Sequence, residues 1–234
     1  MLNLRIFSPE LSIILKVDFL KNKKIVISAG PTYERIDPVR YIGNFSSGKM
    51  GYAIAEKCAD AGAEVILVSG PVNIKTEHPR IELVKVESAR EMYEACTSVF
   101  PQCDIGIMAA AVADYRPAEM STKKIKKSEN EMTIHLVKNP DILQELGRMK
   151  TPKQILVGFA LETNNELEHA QAKLKRKNAD LIVLNSMNDK GAGFRHDTNK
   201  ITIILQNGRI FEFGLKNKEE VAQDLLQCIS ENFG

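Results

Sequence analysis

The chain has 234 residues, of which 44% are hydrophobic and 26% are charged, so a globular core can form and a disordered or fibrous architecture is excluded. Its formal net charge of +2 is too small to predict binding to nucleic acid or to an anionic membrane surface. The longest apolar runs are far shorter than the ~20 residues that a membrane-spanning helix needs, so no such span is expected.

The cysteines indicate a reducing environment. Cys58, Cys96, Cys103 and Cys228 form no C-x-x-C pair and lie in apolar or helical stretches, which favours reduced thiols over a disulfide or zinc framework. The apolar patches at the N-terminus are interrupted by a proline and a glutamate, and no small-residue cleavage site follows them, so no signal peptide is indicated. These features together predict a cytoplasmic protein.

Strand-like and helical segments alternate along most of the chain. Short runs rich in β-branched residues predict strands at residues 24–29, 64–69, 81–86, 104–109, 154–159 and 180–185. Helical spacing of apolar residues predicts helices at residues 50–61, 88–99 and 163–177. The alternation predicts an α/β, Rossmann-like three-layer fold with a mostly parallel sheet, helices on both faces and ligands bound at the carboxyl ends of the strands.

The pattern changes in the last fifty residues. A polar loop at 188–198 precedes two strands, 200–206 and 209–213, which form a hairpin around an Asn-Gly turn, and a final helix follows at 218–232. Earlier in the chain, residues 132–137 also predict a strand, which could pair with an edge strand or with another subunit. No repeat or clear linker is visible, so one domain is favoured.

The segment after the first predicted strand is long, polar and rich in glycine. Gly48 and Gly51 permit close backbone approach, and Ser46-Ser47-Gly48 leads into a helix whose free N–H groups could face a phosphate. Neither a Walker A motif nor a G-x-G-x-x-G motif directly after the strand is present. The glycines taken singly could be turn and cap residues only, but the segment as a whole favours phosphate binding.

The fourth predicted strand ends in small residues. Ala109, Ala110 and Ala111 would leave open space at the carboxyl edge of the sheet, and Asp114 would point into it, so a planar base or a substrate could fit there. The alternative is close helix packing on the alanines beside a solvated aspartate. The strand end alone does not decide between the two.

Three further polar motifs follow along the chain. Lys123, Lys124, Lys126 and Lys127 could close over a triphosphate, although a lone basic cluster is usually a solvated loop, and the lack of interleaved aromatic residues disfavours nucleic acid. The run at 139–142 reads as a helix start with its asparagine as the cap, and capping alone explains it.

The third motif is a pair of lysines on a predicted helix. Lys173 and Lys177 are four residues apart and share one face, so both could reach one anionic ligand. The alternative is a solvent-exposed helix face.

Six segments in this order carry a family resemblance: GPTYERIDPVRYIGNFSSGKMGYAIA, AAAVADYRP, KIKK, KNPDIL, VGFALET and AKLKRKNADLIVLN. From about Lys23 to the C-terminus they closely resemble the phosphopantothenoylcysteine synthetases of coenzyme A biosynthesis. The resemblance implies a ligase that activates 4′-phosphopantothenate with a nucleoside triphosphate through an acyl-nucleotidyl intermediate and then couples it to L-cysteine. It also implies CTP in bacterial members and ATP in eukaryotic ones, Mg²⁺ carried by the nucleotide, and a homodimer.

The resemblance also implies roles for individual residues. Asn44 would contact the acyl-phosphate region, Arg40 would be offered to the neighbouring subunit's pantothenate, and Lys124 of the closing loop is, with Asn44, the expected catalytic residue. Ala110, Ala111 and Asp114 would line the substrate and nucleotide site. The remaining nucleotide contacts would be Gly30, Ser46, Ser47, Gly48, Asn139, Pro140, Asp141, Ile142, Phe159, Lys173 and Lys177.

The chain departs from the family pattern in a few places. Phe45 stands where many bacterial members have histidine, and Leu161 stands where many have alanine. Residues 1–22 are expected to be an N-terminal extension or linker remnant, with the synthetase domain at 23–234. Many bacterial relatives carry an N-terminal flavin-dependent decarboxylase, but neither flavin binding nor decarboxylation is expected of this sequence, and a phosphopantothenoylcysteine decarboxylase is a candidate partner.

Two other functions remain as alternatives. An NAD(P)-dependent oxidoreductase would share the alternating pattern, but no tyrosine is followed by lysine four residues later, as the short-chain reductases would require. A noncatalytic nucleotide- or RNA-binding module would use the lysine loop and bind polymers in a salt-sensitive manner. The four histidines are scattered without metal-ligand spacing, so no resident metal site is predicted.

Overall fold

The computed structural model describes residues 17–126, 131–162, 164–186 and 197–234. Its α-helices are α1 Lys49–Asp60, α2 Ala89–Val99, α3 Ile142–Met149, α4 Glu166–Arg176 and α5 Lys218–Phe233. Its strands are β1 Lys24–Ala29, β2 Tyr33–Arg35, β3 Tyr41–Gly43, β4 Glu64–Ser69, β5 Ile81–Lys85, β6 Ile105–Met108, β7 Tyr115–Pro117, β8 Leu136–Lys138, β9 Ile155–Glu162, β10 Leu181–Ser186, β11 Thr198–Asn199, β12 Ile201–Leu205, β13 Ile210–Glu212 and β14 Lys216–Asn217.

Eight of these strands form a central sheet in the order β13-β12-β10-β9-β6-β1-β4-β5. The six strands from β5 to β10 in this order pair in parallel, and β12 and β13 add an antiparallel hairpin at one edge. The predicted α/β, Rossmann-like fold with a C-terminal hairpin is therefore confirmed. All six parallel strands lie within a few residues of the predicted ranges, and β9 extends three residues further than expected.

The sheet is buried on both faces, as a parallel sheet requires. Along β1, Ile25 and Ile27 pack with α1 and α5 on one side, whereas Val26 packs with the core beneath α2, α3 and α4 on the other side. All three side chains are fully buried. Successive side chains of β1 point into two different cores, so both faces of the strand are buried. This explains why the run IVISA could be recognised as a central strand.

The strand order reverses beside β1. The chain passes from β1 to β4 and β5 on one side, and then crosses to β6, β9 and β10 on the other. The crevice at the carboxyl ends of β1 and β6 is therefore the topological switch point, where ligands bind in this class of fold. The start of α1 packs against this edge at Gly51, where a side chain would not fit, because a Cβ there would lie only 2.6 Å from the Ala29 Cβ.

A small substructure, here called the ribbon, stands outside the main sheet. It consists of the antiparallel pairs β2–β3 and β7–β8 with the connecting residues 36–40 and 118–126, and β2 contacts β7. The strand predicted at 132–137 belongs to it, but only Leu136–Lys138 is a strand, and it pairs with β7 instead of an edge of the central sheet. The sequence predicted pairing with an edge strand or with another subunit, and pairing with an edge of the central sheet was wrong because the partner strand, β7, lies nearby in the same part of the chain.

Two helix starts differ from the prediction. Asp141, not Asn139, caps α3: its carboxylate accepts a hydrogen bond from the Gln144 N–H at 2.9 Å, and the helix begins at the next residue. The Asn139 side chain donates instead to the Ala113 carbonyl at 2.8 Å, so its interpretation as the cap was wrong. Helix α4 begins at Glu166, and residue 163 lies outside the described residues.

Other predictions also fall on segments that the structure does not describe. These are Lys127, residues 188–196 of the polar loop and residues 1–16 of the N-terminal extension. In the part of the chain that is described, no helix combines the length and apolar character needed to cross a membrane.

All four cysteines are buried free thiols, as the sequence predicted. Burial raises the pKa of Cys96 and of Cys228 to about 12 and that of Cys103 to about 11, and it raises the pKa of Cys58 as well. The thiols therefore pack as small apolar groups and stay protonated near neutral pH.

Candidate active site

Two cavities lie side by side at the switch point. The α3–α4 cavity, of about 590 Å³, is bounded by the start of α3 and the end of α4, and its wall includes Lys138, Asn139, Pro140, Asp141, Ile142, Arg176 and Lys177. The α1–α5 cavity, of about 360 Å³, is bounded by the starts of α1 and α5, and its wall includes Asn44, Ser46, Ser47, Gly48, Lys49, Asn185, Asn199 and Lys218. The cavities share Ala110, Val112, Asp114, Phe159 and Lys173, so one ligand could span both.

The segment after β6 forms the partition between the cavities. The Ala110 N–H donates to the Ser28 hydroxyl at 3.2 Å, and the Ala111 N–H donates to the Gly30 carbonyl at 2.9 Å. The Asn44 side-chain amide donates to the Ala111 carbonyl at 2.8 Å. The structure therefore brings together Asn44, Ala110 and Ala111, which are three of the predicted site residues, whereas Gly30 supports the partition from behind and lines neither of the two cavities.

Asp114 is the acidic side chain common to both cavities. It lies at the end of the partition and is exposed. Its backbone carbonyl accepts a hydrogen bond from the Asn139 N–H at 2.8 Å, which ties the partition to the segment before α3. The open space predicted around Asp114 is therefore present on two sides.

The start of α1 presents backbone donors to the α1–α5 cavity. Gly48 is the N-cap with φ +78°, and it has no side chain to accept hydrogen bonds from the first turn. A Cβ at Gly48 would lie 2.9 Å from Val72 Cγ1, so conformation and space both require glycine. The first turn has no acidic residue, and its N–H groups with the helix dipole favour an anion.

The α3–α4 cavity is organised by a charged network at its wall. The Lys177 ammonium pairs with the Asp141 carboxylate and donates to Gln144 Oε1 at 3.0 Å. Partial burial pulls the pKa of Asp141 upward, but hydrogen bonds from Lys177 and from the Gln144 N–H outweigh it, so the pKa of Asp141 is lowered. Lys177 is only 7% exposed, which overturns the solvent-exposed alternative for this residue.

Lys173 lies at the junction of the cavities. Its ammonium donates to the carbonyl of Phe159, a residue within β9, at 2.7 Å. Burial lowers the pKa of Lys173, and the carboxylates of Glu162 and Asp141 act in the opposite direction. Lys173 and Lys177 thus line the same cavity, as the i, i+4 spacing predicted, but each already contacts a different acceptor.

Arg40 and Lys124 lie together in the ribbon and line neither of these two cavities. The Asp37 carboxylate, which is buried, accepts hydrogen bonds from the Val39 and Arg40 N–H groups at 2.8 Å each and from the Arg40 guanidinium at 2.6 Å. It also accepts one from the Ile125 N–H at 3.1 Å. The Arg40 guanidinium, foremost among these donors, holds the pKa of Asp37 well below its usual range. Because Asp37 contacts both Arg40 and Ile125, it fastens the loop of Lys124 to the loop of Arg40.

Several wall residues escaped the sequence analysis. They are Lys49, Lys138, Arg176, Asn185, Asn199 and Lys218, together with Asp37 in the ribbon. Asn185 could have been found, because it lies at the end of the sixth predicted strand, where the fold binds its ligands. Lys218 carries no such signal, since it looks like an ordinary first-turn residue of the last helix.

Comparison with known proteins gives consistent results. The model of the DNA/pantothenate metabolism flavoprotein C-terminal domain family matches residues 20–233. A protein named cysteine/cysteine sulfinic acid decarboxylase, from an unknown prokaryotic organism, is 53% identical over 210 residues, which cover 90% of this chain and 58% of that protein. The coenzyme A biosynthesis bifunctional protein CoaBC of Bacillus subtilis (strain 168) is 47% identical over 211 residues, which cover 90% of this chain and 52% of that protein.

A solved structure extends the similarity to three dimensions. The crystal structure of the C-terminal domain of a coenzyme A biosynthesis bifunctional protein CoaBC superposes with a TM-score of 0.78 at 44% identity, and the match covers 92% of this chain and 97% of that one. The chain spans a little over half the length of the curated relatives named above.

Proposed function

Because the chain belongs to the DNA/pantothenate metabolism flavoprotein C-terminal domain family, we propose that it is a ligase that joins 4′-phosphopantothenate to L-cysteine in coenzyme A biosynthesis. The observation that carries the proposal is the pair of joined cavities at the switch point, with Asp114 and Lys173 in their common wall. A ligase of this type must hold a nucleoside, a chain of phosphates and an acyl group in one continuous space. Two connected cavities with cationic walls meet that requirement.

The proposed reaction has two steps. The carboxylate of phosphopantothenate attacks the α-phosphorus of CTP, a new C–O–P link forms, and the bond to the β-phosphate breaks to release pyrophosphate. The amine of cysteine then attacks the acyl carbon, CMP leaves, and the amine gives up a proton as the amide forms. Negative charge grows at the phosphates in the first step, where Lys173, Lys124 and the α1 N–H groups would stabilise it.

The two cavities suggest that the nucleoside and the phosphates of the nucleotide bind in different places. The α3–α4 cavity, at about 590 Å³, falls within the usual range for small-molecule sites and would take the nucleoside beside Phe159 and the 139–142 segment. The phosphates would cross the partition past Asp114 toward Gly48, where Asn44 could contact the acyl phosphate. The choice of CTP over ATP rests on the bacterial-type motifs and is part of the proposal.

Magnesium fits the residues at the junction. Mg²⁺ in nucleotide sites usually takes one or two carboxylates together with phosphate oxygens and water. Asp114 supplies an exposed carboxylate between the cavities, whereas Asp141 is already paired with Lys177. Asp114 would therefore hold a Mg²⁺ ion carried by the nucleotide, and that ion would neutralise phosphate charge.

An exposed apolar surface on the ribbon supports a homodimer. Eight of the ten large hydrophobic residues that are exposed in the described part of the chain lie on or beside it: Val39, Tyr41, Phe45, Tyr115, Met120, Ile125, Met132 and Leu136. A patch of this kind often marks a protein interface. We propose that a second copy covers it, which would bring Arg40 to the neighbouring subunit's site, and light scattering of Tyr41→Glu should then report a monomer.

The proposed ligase domain is residues 23–234, with residues 1–22 as a preceding extension, and the reaction would take place in the cytoplasm. The 53% identical relative carries the name of a decarboxylase, but this chain matches only 58% of its length. A phosphopantothenoylcysteine decarboxylase, which would consume the product, is the partner that the proposal implies. No flavin is proposed for residues 23–234.

The test is pyrophosphate release from purified protein with phosphopantothenate and Mg²⁺, comparing CTP with ATP, with and without cysteine. Mass analysis of the products identifies ligation and would also reveal loss of CO₂. Pantothenate without its phosphate is the matched control substrate. CTP-dependent formation of phosphopantothenoylcysteine is the expected result, whereas the absence of product with both nucleotides would reject the proposed function.

A further inference from the structure

The α1–α5 cavity has a polar wall built by the C-terminal part of the chain. Asn199, which is 3% exposed, donates from its side-chain amide to the Asn185 side-chain oxygen at 3.1 Å. Lys218, which is 8% exposed, lines the same cavity, and Lys49 from the first turn of α1 lies in the wall as well. Three polar side chains from three separate segments, Asn185, Asn199 and Lys218, therefore meet Lys49 at the start of α1.

The backbone fixes Lys218 in this position. Strands β11 and β14 pair antiparallel, and Asn217 at the end of β14 caps α5 with a capping box to Glu220. Lys218 is the first residue of that helix, and its N–H donates to the Asp197 carbonyl at 3.1 Å. The backbone of Lys218 is thus positioned by elements on both sides of it.

The charges around this cavity favour a polyanion. Among its described wall residues, Lys49, Lys173 and Lys218 are cationic and only Asp114 is acidic. Asp197 forms an ion pair with Lys49 and offsets part of this charge. Burial, together with the nearby charge of Lys49, lowers the pKa of Lys218, and the Asp197 carboxylate acts in the opposite direction. The start of α1 adds its own positive partial charge, so a bound phosphate chain would relieve a concentration of like charge.

We propose that Lys218, assisted by Lys49, holds the nucleotide phosphates beyond the α-phosphate, which are the pyrophosphate that leaves. The inference rests on the proposed function. When the bond between the α-phosphorus and its bridging oxygen breaks, the electron pair stays on that oxygen. Lys218 remains protonated and donates hydrogen bonds to the departing group, so no proton transfer is needed in this step.

Because the two cavities are continuous, we expect Lys218 to bind the phosphates of the nucleotide and not the single phosphate of phosphopantothenate. A nucleoside in the α3–α4 cavity would direct its phosphates past Asp114 and Lys173, and the next cations along that path are Lys49 and Lys218. A phosphate of the other substrate would be bound by the same chemistry. The experiment must therefore separate the two sources.

The decisive measurement is the binding of CTP and CMP by calorimetry, without the second substrate, and of ATP and AMP if ATP is the active nucleotide. Lys218→Met should weaken triphosphate binding ~10- to 100-fold, because it removes charge-assisted hydrogen bonds, and should leave monophosphate binding unchanged. Lys218→Arg should restore most of the affinity. Lys200→Met removes a nearby exposed lysine that lines neither of the two cavities and should change neither affinity.

Further variants and ligands make each outcome decisive. Lys49→Met should change triphosphate binding in the same direction by a smaller factor, and it replaces the Lys218 variant if the latter fails to fold by circular dichroism. Equal weakening of triphosphate and monophosphate would overturn the proposal in favour of a structural role. Weakened binding of phosphopantothenate with unchanged CTP binding would overturn it in favour of the other phosphate.

These binding results are independent of ligation. If the unaltered protein binds CTP and Lys218→Met shows the selective loss, the phosphate subsite stands even when no ligation product is found. If ligation is found but the variant keeps its triphosphate affinity, the proposed function stands and the subsite is rejected. Failure of the unaltered protein to bind either triphosphate would overturn the subsite.

Discussion

The cavities and the ribbon hold their candidate functional residues in different ways. Around the cavities, Asp114 and Lys173 are positioned by the ends of parallel strands and by a helix packed on the sheet. In the ribbon, Arg40 and the loop of Lys124 are fastened to each other through Asp37, outside the cavities and among exposed apolar side chains. The central sheet therefore prepares a binding space, while the ribbon carries cations that are not part of that space.

This difference separates binding from catalysis in the proposed function. A residue in a cavity wall should affect the affinity for a ligand and, through it, the rate. Lys124, in the ribbon, should affect the rate only, and only when the ribbon approaches the cavities or a second copy supplies it. Variants in the two regions should consequently divide between affinity and turnover.

Lys124→Gln has the largest expected effect and is the strongest test of the difference between the ribbon and the cavities. Turnover should fall by ~100- to 1000-fold, the range for removing one group that stabilises transition-state charge. Nucleotide affinity and thermal stability should not change, since Lys124 is exposed and lies outside both cavity walls. Steady-state kinetics and calorimetry measure turnover and affinity, with the exposed Lys200→Gln as the control. Normal turnover of Lys124→Gln would remove Lys124 from the mechanism.

Asp114→Asn tests the cavity side. We expect kcat/KM to fall by ~10- to 100-fold because the shared carboxylate no longer supports the metal-bound phosphates. The Mg²⁺ concentration needed for half-maximal rate should rise, whereas the unfolding midpoint should stay constant because the side chain is exposed. Rates measured across a Mg²⁺ titration decide the matter, and a metal requirement equal to that of the unaltered protein would contradict the role.

Asp37→Asn should loosen the ribbon without altering the cavities. An amide cannot accept the two guanidinium hydrogen bonds and the three backbone hydrogen bonds together, so hydrogen exchange at Arg40 and Ile125 should accelerate. Turnover should fall ~10-fold through mispositioning of Lys124, with CTP affinity within ~2-fold of normal. Unchanged exchange at both amides would show that Asp37 does not fasten the ribbon.

The same contact has a defined pH dependence. The pKa of Asp37 is lowered in the fold, so its contribution to stability is complete above the ordinary aspartate pKa near 4. That contribution is lost only as the pH falls below this value toward the lowered pKa. Neutral and mildly acidic solutions should therefore leave the ribbon fastened.

Asp141→Asn has the smallest expected effect and sharpens the comparison within the cavity wall. Asparagine still caps α3, so the loss is confined to the ion pair with Lys177, or about 0.5–1 kcal/mol because Asp141 is 46% exposed. The pKa of Asp141 is lowered, so this difference should be present at pH 7 and shrink as the pH falls below about 4. Urea unfolding at both pH values measures it, and a pH-independent difference would exclude the ion pair as its source.

The sequence predicted those parts of the molecule that depend on local pattern. Strand β1 could be recognised because each of its residues after Lys24 is buried on one face or the other, and Asp114 could be recognised because it follows a strand end. Asn139 was misread because asparagine and aspartate are both good caps. The choice between them depends on the Ala113 carbonyl and on Arg116, which lie more than twenty residues away.

Lys218 shows the limit most clearly. Its local sequence is that of a capped helix start, and nothing nearby in the chain marks it as part of a cavity. Its burial results from β11, β14 and the start of α1, which the fold brings together from three separate segments. Such residues are found only when the tertiary structure is known.

The burial of the four cysteines has a consequence for a protein proposed to handle a thiol. A protein thiolate can attack the disulfide of cystine and release one cysteine thiolate, and this exchange requires an accessible protein sulfur. Every thiol of this chain is buried, and each has a pKa raised far above neutral pH. The folded protein should therefore not form mixed disulfides with cysteine. The sulfur of the cysteine substrate would remain unreacted while its amine forms the amide.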